Sequence, residues 1–205
     1  MDLKIQSELE KFDFDKKEEV QNYEVYVNKG LSNIENLVQN LTSTIDDFRN
    51  FYNPNKQQEN IEIMKVVEKS LKLMEATFKN DSIQIDTEYN SHNMISMHTN
   101  EMVQVIVNIL KNSQDNFQEK NIKNPIITIK IYEDKGKNIL EISDNGGGIR
   151  DDVIHKVFDP YFSTKSSKNG TGLGLYMSRL IVEKHHEGKL NVRNKDNGVL
   201  FSIIL

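Results

Sequence analysis

Asn108 and Asn112 stand four residues apart, a spacing that puts both amides on one face of a helix. Neutral amides so placed can ligate Mg²⁺ or hydrogen-bond phosphate oxygens without adding like charge to a polyphosphate. The same pair also suits an ordinary solvated face. Asp144 follows the apolar run Ile139–Ile142 and precedes Asn-Gly-Gly-Gly-Ile149-Arg. A carboxylate at a strand end can accept a hydrogen bond from an exocyclic amine such as that of adenine, and the glycines beyond it allow a flat base to approach the backbone. A flexible hairpin turn would have the same composition. Gly170-Thr171-Gly172-Leu173-Gly174-Leu175 leads directly into a predicted helix, so its backbone amides and the helix N-terminus make a phosphate nest. It is not a P-loop, because no Lys-Ser/Thr ending follows, and no βαβ unit surrounds it as a dinucleotide fingerprint requires. Just upstream, Thr164, Lys165, Ser166, Ser167 and Lys168 form a polar loop able to fold over a triphosphate, with Lys165 as a point charge for the terminal phosphates; a plain solvated loop reads similarly. In this order the segments describe a site for a Mg-nucleotide.

Positioning such a site requires a scaffold, and the apolar spacing outlines one. Val20, Tyr23, Val27, Leu31, Ile34, Val38, Leu41, Ile45, Phe48 and Tyr52 advance mostly by steps of three and four. That stripe predicts a helix of about ten turns, ended by Asn53-Pro54. Such a helix suits an antiparallel partner and a second subunit, as in a four-helix bundle; an ordinary coiled coil, or a helix lying on the main domain, would carry the same stripe. Residues 1–12, with Leu3, Ile5, Leu9 and Phe12, read as the tail of a first hairpin arm, and Asp15 as the cap of the long helix. After a linker at 55–60 the spacing predicts a helix over 64–78, a strand around Ile83–Thr87 and a short return strand at Ile95–His98. It then predicts a helix over 102–117 and two strands, Ile126–Ile131 and Ile139–Ile142, joined at Asp134-Lys-Gly136. A helix over 175–185 and a closing hairpin around Asp196-Asn-Gly198 complete the chain. The expected fold is α+β, a two-layer α/β sandwich.

Bulk properties narrow the function classes. The 205 residues suffice for one good core plus a smaller helical element. A formal charge of -5 argues against a nucleic-acid surface. Cys is absent, which excludes disulfides, thiolate chemistry and cysteine-ligated zinc. No apolar run approaches the ~20 residues that cross a bilayer, so this segment is not expected to insert in a membrane. A cytoplasmic location is expected, and the sequence leaves open whether the full-length protein is membrane-anchored.

The motifs resemble those of sensor histidine kinases, within the Bergerat-fold ATPases. Asn100-Glu-Met-Val-Gln-Val-Ile-Val-Asn-Ile-Leu-Lys-Asn-Ser-Gln-Asp115 is similar to the N box, Asp144–Ile149 to the first glycine box, Val157–Lys165 to the F box and Gly170–Leu175 to the second glycine box. The resemblance covers residues 60–205, and Thr44–Pro54 resembles the end of a dimerisation helix. It implies an ATP-binding catalytic domain at 59–205, preceded at 1–58 by part of a dimerisation hairpin, with ATP and Mg²⁺ as its ligands. By the resemblance, Asn112 is the Mg²⁺ ligand and Asn108 its phosphate-side neighbour; Asp144 reads the adenine amine, while Gly146, Gly148 and Ile149 shape the base pocket. Thr164, Lys165 and Gly170, Thr171, Gly172, Leu173, Gly174 and Leu175 then close over the phosphates.

The departures are as informative. Hydrolytic relatives such as the mismatch-repair, gyrase and heat-shock ATPases carry a glutamate general base where this chain has Asn108, which favours transfer to a protein side chain over activation of water. Asp115 stands where many kinases have a basic residue, and Gly198-Val-Leu-Phe201 lacks the usual Thr of the last glycine box. The H box, with its phosphoacceptor histidine, is not among these residues and is expected before Met1. His92, His98, His155, His185 and His186 all lie off the dimerisation stripe. The resemblance implies transfer of the ATP γ-phosphoryl group to a histidine on the dimerisation hairpin and relay to the aspartate of a response-regulator receiver domain, in a homodimer joined by the long helix. Without the acceptor, this segment is not expected to phosphorylate itself. An ATPase or Ser/Thr-directed kinase of the same fold, and a non-catalytic nucleotide-responsive dimerisation module, remain as alternatives.

Overall fold

The computed structural model describes residues 20–32, 34, 35, 38, 42, 57–164 and 171–205. The expectations for residues 1–12, for Asp15 and for the helix end at Asn53-Pro54 lie outside the described residues, as do Lys165 and Gly170. Residues 20–32, 34, 35, 38 and 42 are helical. Along that stretch Val20, Tyr23 and Val27 are half-buried, whereas Leu31, Ile34 and Val38 are exposed.

From Glu59 the chain builds a sheet backed by helices. β1 (Glu59–Glu62) runs into α1 (Ile63–Asn80), and β2 (Gln84–Tyr89) and β3 (Met94–Met97) follow. α2 (Thr99–Lys120) leads to β4 (Ile126–Asp134) and β5 (Lys137–Asp144). A 3₁₀ turn at Ile154–Lys156 precedes α3 (Gly174–Leu180), which ends in a π turn, Ile181–His185, before β6 (Lys189–Lys195) and β7 (Gly198–Ile204). The main sheet has the order β2-β4-β5-β7-β6.

Two sequence expectations are corrected here. β2 and β3 do not form a hairpin: β3 pairs antiparallel with β1, in the segment read as linker, and β2 pairs in parallel with β4. The reason is the period of the sequence on either side. Ile61 and Ile95 are register partners and give the small sheet one apolar pair, whereas Ile85, Thr87 and Tyr89 align with Ile127, Ile129 and Ile131 and extend the main core. The last helix keeps its expected extent but not one geometry, being α-helical to Leu180 and π-helical over Ile181–His185.

The core is written in rows across the sheet. Ile129, Ile142, Phe201 and Val192 are successive register partners, as are Ile131, Leu140, Ile203 and Leu190. Side chains on a strand alternate faces, so Leu140 and Ile142 share a face with Asp144, whose partner is the fully buried Ile127. Onto the sheet α2 brings Met102, Val105, Ile106, Ile109 and Leu110, each 0% exposed. Asp144 therefore ends an inward-facing row, turned toward the helical layer. The β4–β5 connection is a two-residue turn in which Lys135 and Gly136 both have positive φ, at 51° and 75°. This is the hairpin geometry whose twist matches the strands.

Candidate functional site

At the end of β5 the carboxylate of Asp144 is half-buried and held from two sides. Oδ1 accepts the Gly146 backbone N–H at 2.8 Å, and Oδ2 accepts the buried Ser113 hydroxyl at 2.9 Å. Ser113 Oγ also lies 3.4 Å from Ile109 O, and its single proton is drawn to the closer, charged acceptor. The inward direction of Asp144 and the position of Ser113 on the core side of α2 bring the two together.

The glycines that follow are fixed by different neighbours. Gly146 O accepts from Asn116 Nδ2 and Lys120 Nζ, each at 2.8 Å, and Lys120 Nζ also reaches Gly148 O at 3.2 Å. A Cβ at Gly146 would sit 2.0 Å from Asn116 Nδ2, so a side chain there would displace the amide that holds the Gly146 carbonyl. Asn145 turns the other way: its Oδ1 accepts the Ile126 N–H and its Nδ2 donates to Asn124 O. Gly147 N–H donates to Asn197 O at 2.8 Å. Ile149 packs against the core, and its N–H and C=O are both bonded to the amide of Asn194.

Gly198, the first residue of β7, lies against the backbone of Asp144. A Cβ there would fall 1.6 Å from Asp144 O and 2.5 Å from its carbonyl carbon. The sequence places this glycine both at a hairpin turn and at the head of a glycine box; the turn itself is made by Asp196 and Asn197, with Lys195 and Gly198 as register partners across it. Glycine is needed because two backbones touch.

On α2, Asn108 and Asn112 are both half-buried. Asn108 Nδ2 donates to Gly174 O and Ser178 Oγ, each at 3.4 Å, so this asparagine meets the start of α3. The fully buried Ser178 in turn donates to Gly174 O at 2.9 Å. Gly172 has φ +68, and a Cβ on it would be 2.4 Å from Tyr161 C and 2.7 Å from Phe162 N. Leu173 is buried and Leu175 packs on the core, while Thr164 and Thr171 are exposed. Thr171 Oγ1 accepts the Leu173 N–H at 3.4 Å.

The structure thus brings Asp144, Gly146, Gly148 and Ile149 into one loop beside Ser113 on α2, and Asn108 against Gly174. Sequence reasoning assigned no role to Ser113, Asn116, Lys120 or Asn194. A signal for Ser113 was available: it follows Asn112 on α2, and the alternation along β5 turns Asp144 toward that helix. Among the described residues no group of three or more His, Cys, Asp or Glu side chains could hold a metal ion, so a divalent cation has no all-protein cage there. Amide oxygens such as that of Asn112 fit a cation that arrives with phosphates and keeps most of its other ligands from them. None of the described helices is long and apolar enough to cross a membrane.

Comparisons with known proteins agree in direction. Residues 97–205 match the family model described as histidine kinase-, DNA gyrase B-, and HSP90-like ATPase. The chain is 34% identical over 148 residues to the sensor protein KdpD of Clostridium acetobutylicum, covering 70% of this chain and 16% of that one. It is 36% identical over 124 residues to a probable C4-dicarboxylate sensor kinase of Halalkalibacterium halodurans, covering 60% of this chain and 23% of the relative. Among solved structures, the catalytic domain of histidine kinase ThkA superimposes with a TM-score of 0.64 at 25% identity, over 73% of this chain and 95% of that domain. The matched segments are thus a small part of the two sensor proteins and nearly the whole of the solved catalytic domain.

Proposed function

The chain belongs to the histidine kinase-, DNA gyrase B- and HSP90-like ATPases, and from that premise we propose that it is the ATP-binding catalytic part of a sensor histidine kinase. In the complete protein it transfers the γ-phosphoryl group of ATP to a histidine on a dimerisation hairpin, for relay to a response-regulator aspartate. The homodimer is joined through the long N-terminal helix expected from the sequence, and the domain works in the cytoplasm.

The observation that carries this reading is the carboxylate of Asp144, held by the Gly146 N–H and the Ser113 hydroxyl. A carboxylate with both oxygens already anchored keeps its remaining lone pairs in fixed directions. It accepts the exocyclic amine of adenine with little reorganisation, and the glycine loop lets the flat ring approach the backbone. Gly146, Gly148 and Ile149 form the rim of that pocket. Asn108 and Asn112 on α2 face the polyphosphate, and Thr164, Lys165 and the Gly170–Leu175 segment close over it. The amide oxygen of Asn112 is the protein's ligand to Mg²⁺. When bound, this ion neutralises charge on the transferring phosphoryl group.

Catalysis by this chain's residues is then positioning and charge stabilisation. The site directs the terminal phosphoryl group toward the acceptor imidazole, which attacks in line as the bond from phosphorus to the β–γ bridging oxygen breaks and ADP leaves. Asn108 cannot take a proton from water as a glutamate would, which favours an imidazole over water as the nucleophile.

Calorimetric titration with ATP and ADP, with and without Mg²⁺, beside Asp144→Asn, tests the site. Saturable binding by the folded protein that the substitution strongly weakens is the expected result. Absence of binding would overturn the site. A histidine-containing hairpin from the full-length protein, supplied in trans, tests the reaction: the expected product is an acid-labile phosphohistidine. Phosphate release or an acid-stable label would point instead to an ATPase or a Ser/Thr-directed kinase.

A further inference from the structure

Asn194 lies in β6, opposite Val199 of β7, and its side chain leaves the hairpin to meet a loop 45 residues away in sequence. Oδ1 accepts the Ile149 N–H at 2.8 Å, while Nδ2 donates to Ile149 O at 2.6 Å and to Asp151 Oδ1 at 3.3 Å. One side-chain amide therefore gives Ile149 both the donor and the acceptor that a neighbouring strand would give. Gly148, with φ +73, makes the turn that presents Ile149 in this way, and a Cβ on it would come 3.1 Å from Asn194 Oδ1. Two residues before Ile149, the Gly147 N–H is taken by Asn197 O at 2.8 Å. The outer half of the glycine loop thus hangs on the β6–β7 hairpin, whereas Gly146 is held from α2 by Asn116 and Lys120.

We infer that Asn194 is a positioning residue for the base-binding site, acting through the backbone of Ile149. The inference rests on the nucleotide reading above, in which Gly148 and Ile149 line the base pocket. The loop bears residues with two separate duties. Asp144 and Gly146 set the hydrogen-bonding edge of the pocket and are fixed by the helical layer. Gly148 and Ile149 set its opposite side and depend on Asn194. A flat purine needs both sides at a fixed separation, and an amide reaching from an edge strand supplies the second. No other residue type combines a donor and an acceptor at this reach except Asp in its protonated form, and Gln is one methylene too long.

The test compares wild type with Asn194→Ala and Asn194→Asp. ADP affinity is measured by calorimetry, thermal unfolding without nucleotide, and amide hydrogen exchange at Ile149. In N194A the Ile149 amide should exchange faster, and ADP affinity should fall about threefold to tenfold, the range of one or two lost hydrogen bonds. N194D keeps the acceptor but turns a carboxylate toward Ile149 O and Asp151, so its loss should be larger. Both variants should melt close to wild type, because Asn194 itself is exposed. Unchanged ADP affinity in N194A, with faster exchange at Ile149, would overturn the inference. If N194A melts early, N194D decides, being matched in shape: full affinity there overturns the inference and reduced affinity upholds it. Failure of the wild type to bind ADP would instead sink the nucleotide reading, a result visible before any variant is compared.

Discussion

Ser113 Oγ lies 2.9 Å from Asp144 Oδ2, joining the helix that carries Asn108 and Asn112 to the carboxylate at the end of β5. The hydroxyl that orients this carboxylate comes from α2, one residue beyond Asn112.

Removing that hydroxyl in Ser113→Ala leaves Asp144 with the Gly146 N–H as its anchor. ADP affinity is expected to fall about fivefold, the scale of a hydrogen bond to a charged group moderated by solvent access. Calorimetry reads this directly. Full affinity in S113A would mean that the Gly146 amide orients the carboxylate without help.

Gly198→Ala places a methyl 1.6 Å from Asp144 O, where the obstacle is backbone and cannot rotate away. The substitution should cost about 3 kcal/mol of unfolding free energy and lower ADP affinity at least about tenfold, as Asp144 is displaced. Gly136→Ala is the contrast. Nothing lies near a Cβ at Gly136, so the cost is the left-handed backbone alone, about 1 kcal/mol, with ADP affinity unchanged. Chemical denaturation and calorimetry on both variants separate the two effects.

The pH dependence of stability should carry a signature of His186. Its Nε2 accepts the His98 backbone N–H at 3.1 Å, and Nδ1 lies 3.1 Å from Ile181 O, which requires the neutral ring with the proton on Nδ1. Burial holds its pKa below the ordinary value; the bond to Ile181 O and the charge of Glu101 oppose this, while His98 and His185 add to it. The unfolded ring, with a pKa of about 6.5, therefore takes up a proton before the folded one does. The stabilising contribution is complete above about pH 6.5 and is lost as pH falls through that value toward the folded-state pKa. Melting temperature should drop on acidification across this window, and His186→Gln should flatten the drop. An identical profile in the variant would refute the assignment.

Ile129 is fully buried and sits in the row that runs through Ile142 and Phe201 to Val192. Ile129→Ala should cost about 2–5 kcal/mol, whereas Leu73→Ala, on a side chain whose residue is 66% exposed, should stay within about 0.5 kcal/mol. Urea unfolding of the two variants measures both.

Much of this was legible in the sequence because it depends on local spacing. The four-residue step from Asn108 to Asn112, the Lys135-Gly136 turn, and the alternation of Ile127, Ile129 and Ile131 each carry their own geometry. What escaped was set by partners far along the chain. Ile95 and its neighbours read as a return strand to the one before, since nothing local says that Ile61 is the better partner. Gly198 read as a turn and glycine-box residue, because only the fold brings it to Asp144. Asn194 drew no reading at all, for the same reason: its partner, Ile149, is 45 residues upstream. The end of α-helical geometry at Leu180 has no Gly or Pro to announce it.

The placement of β7 between β5 and β6 has a consequence for synthesis. A ribosome delivers β5 and the whole glycine loop well before the strand that flanks them. Until residues 198–204 emerge, β5 has an open edge and Asp144 has no Gly198 against its carbonyl. A nascent chain paused in that interval carries the candidate site's loop on an incomplete sheet, and its bare edge is open to pairing with another chain. The β6–β7 hairpin thus acts as a late latch: the sheet that carries Asp144 is closed only when β7 slots between β5 and β6.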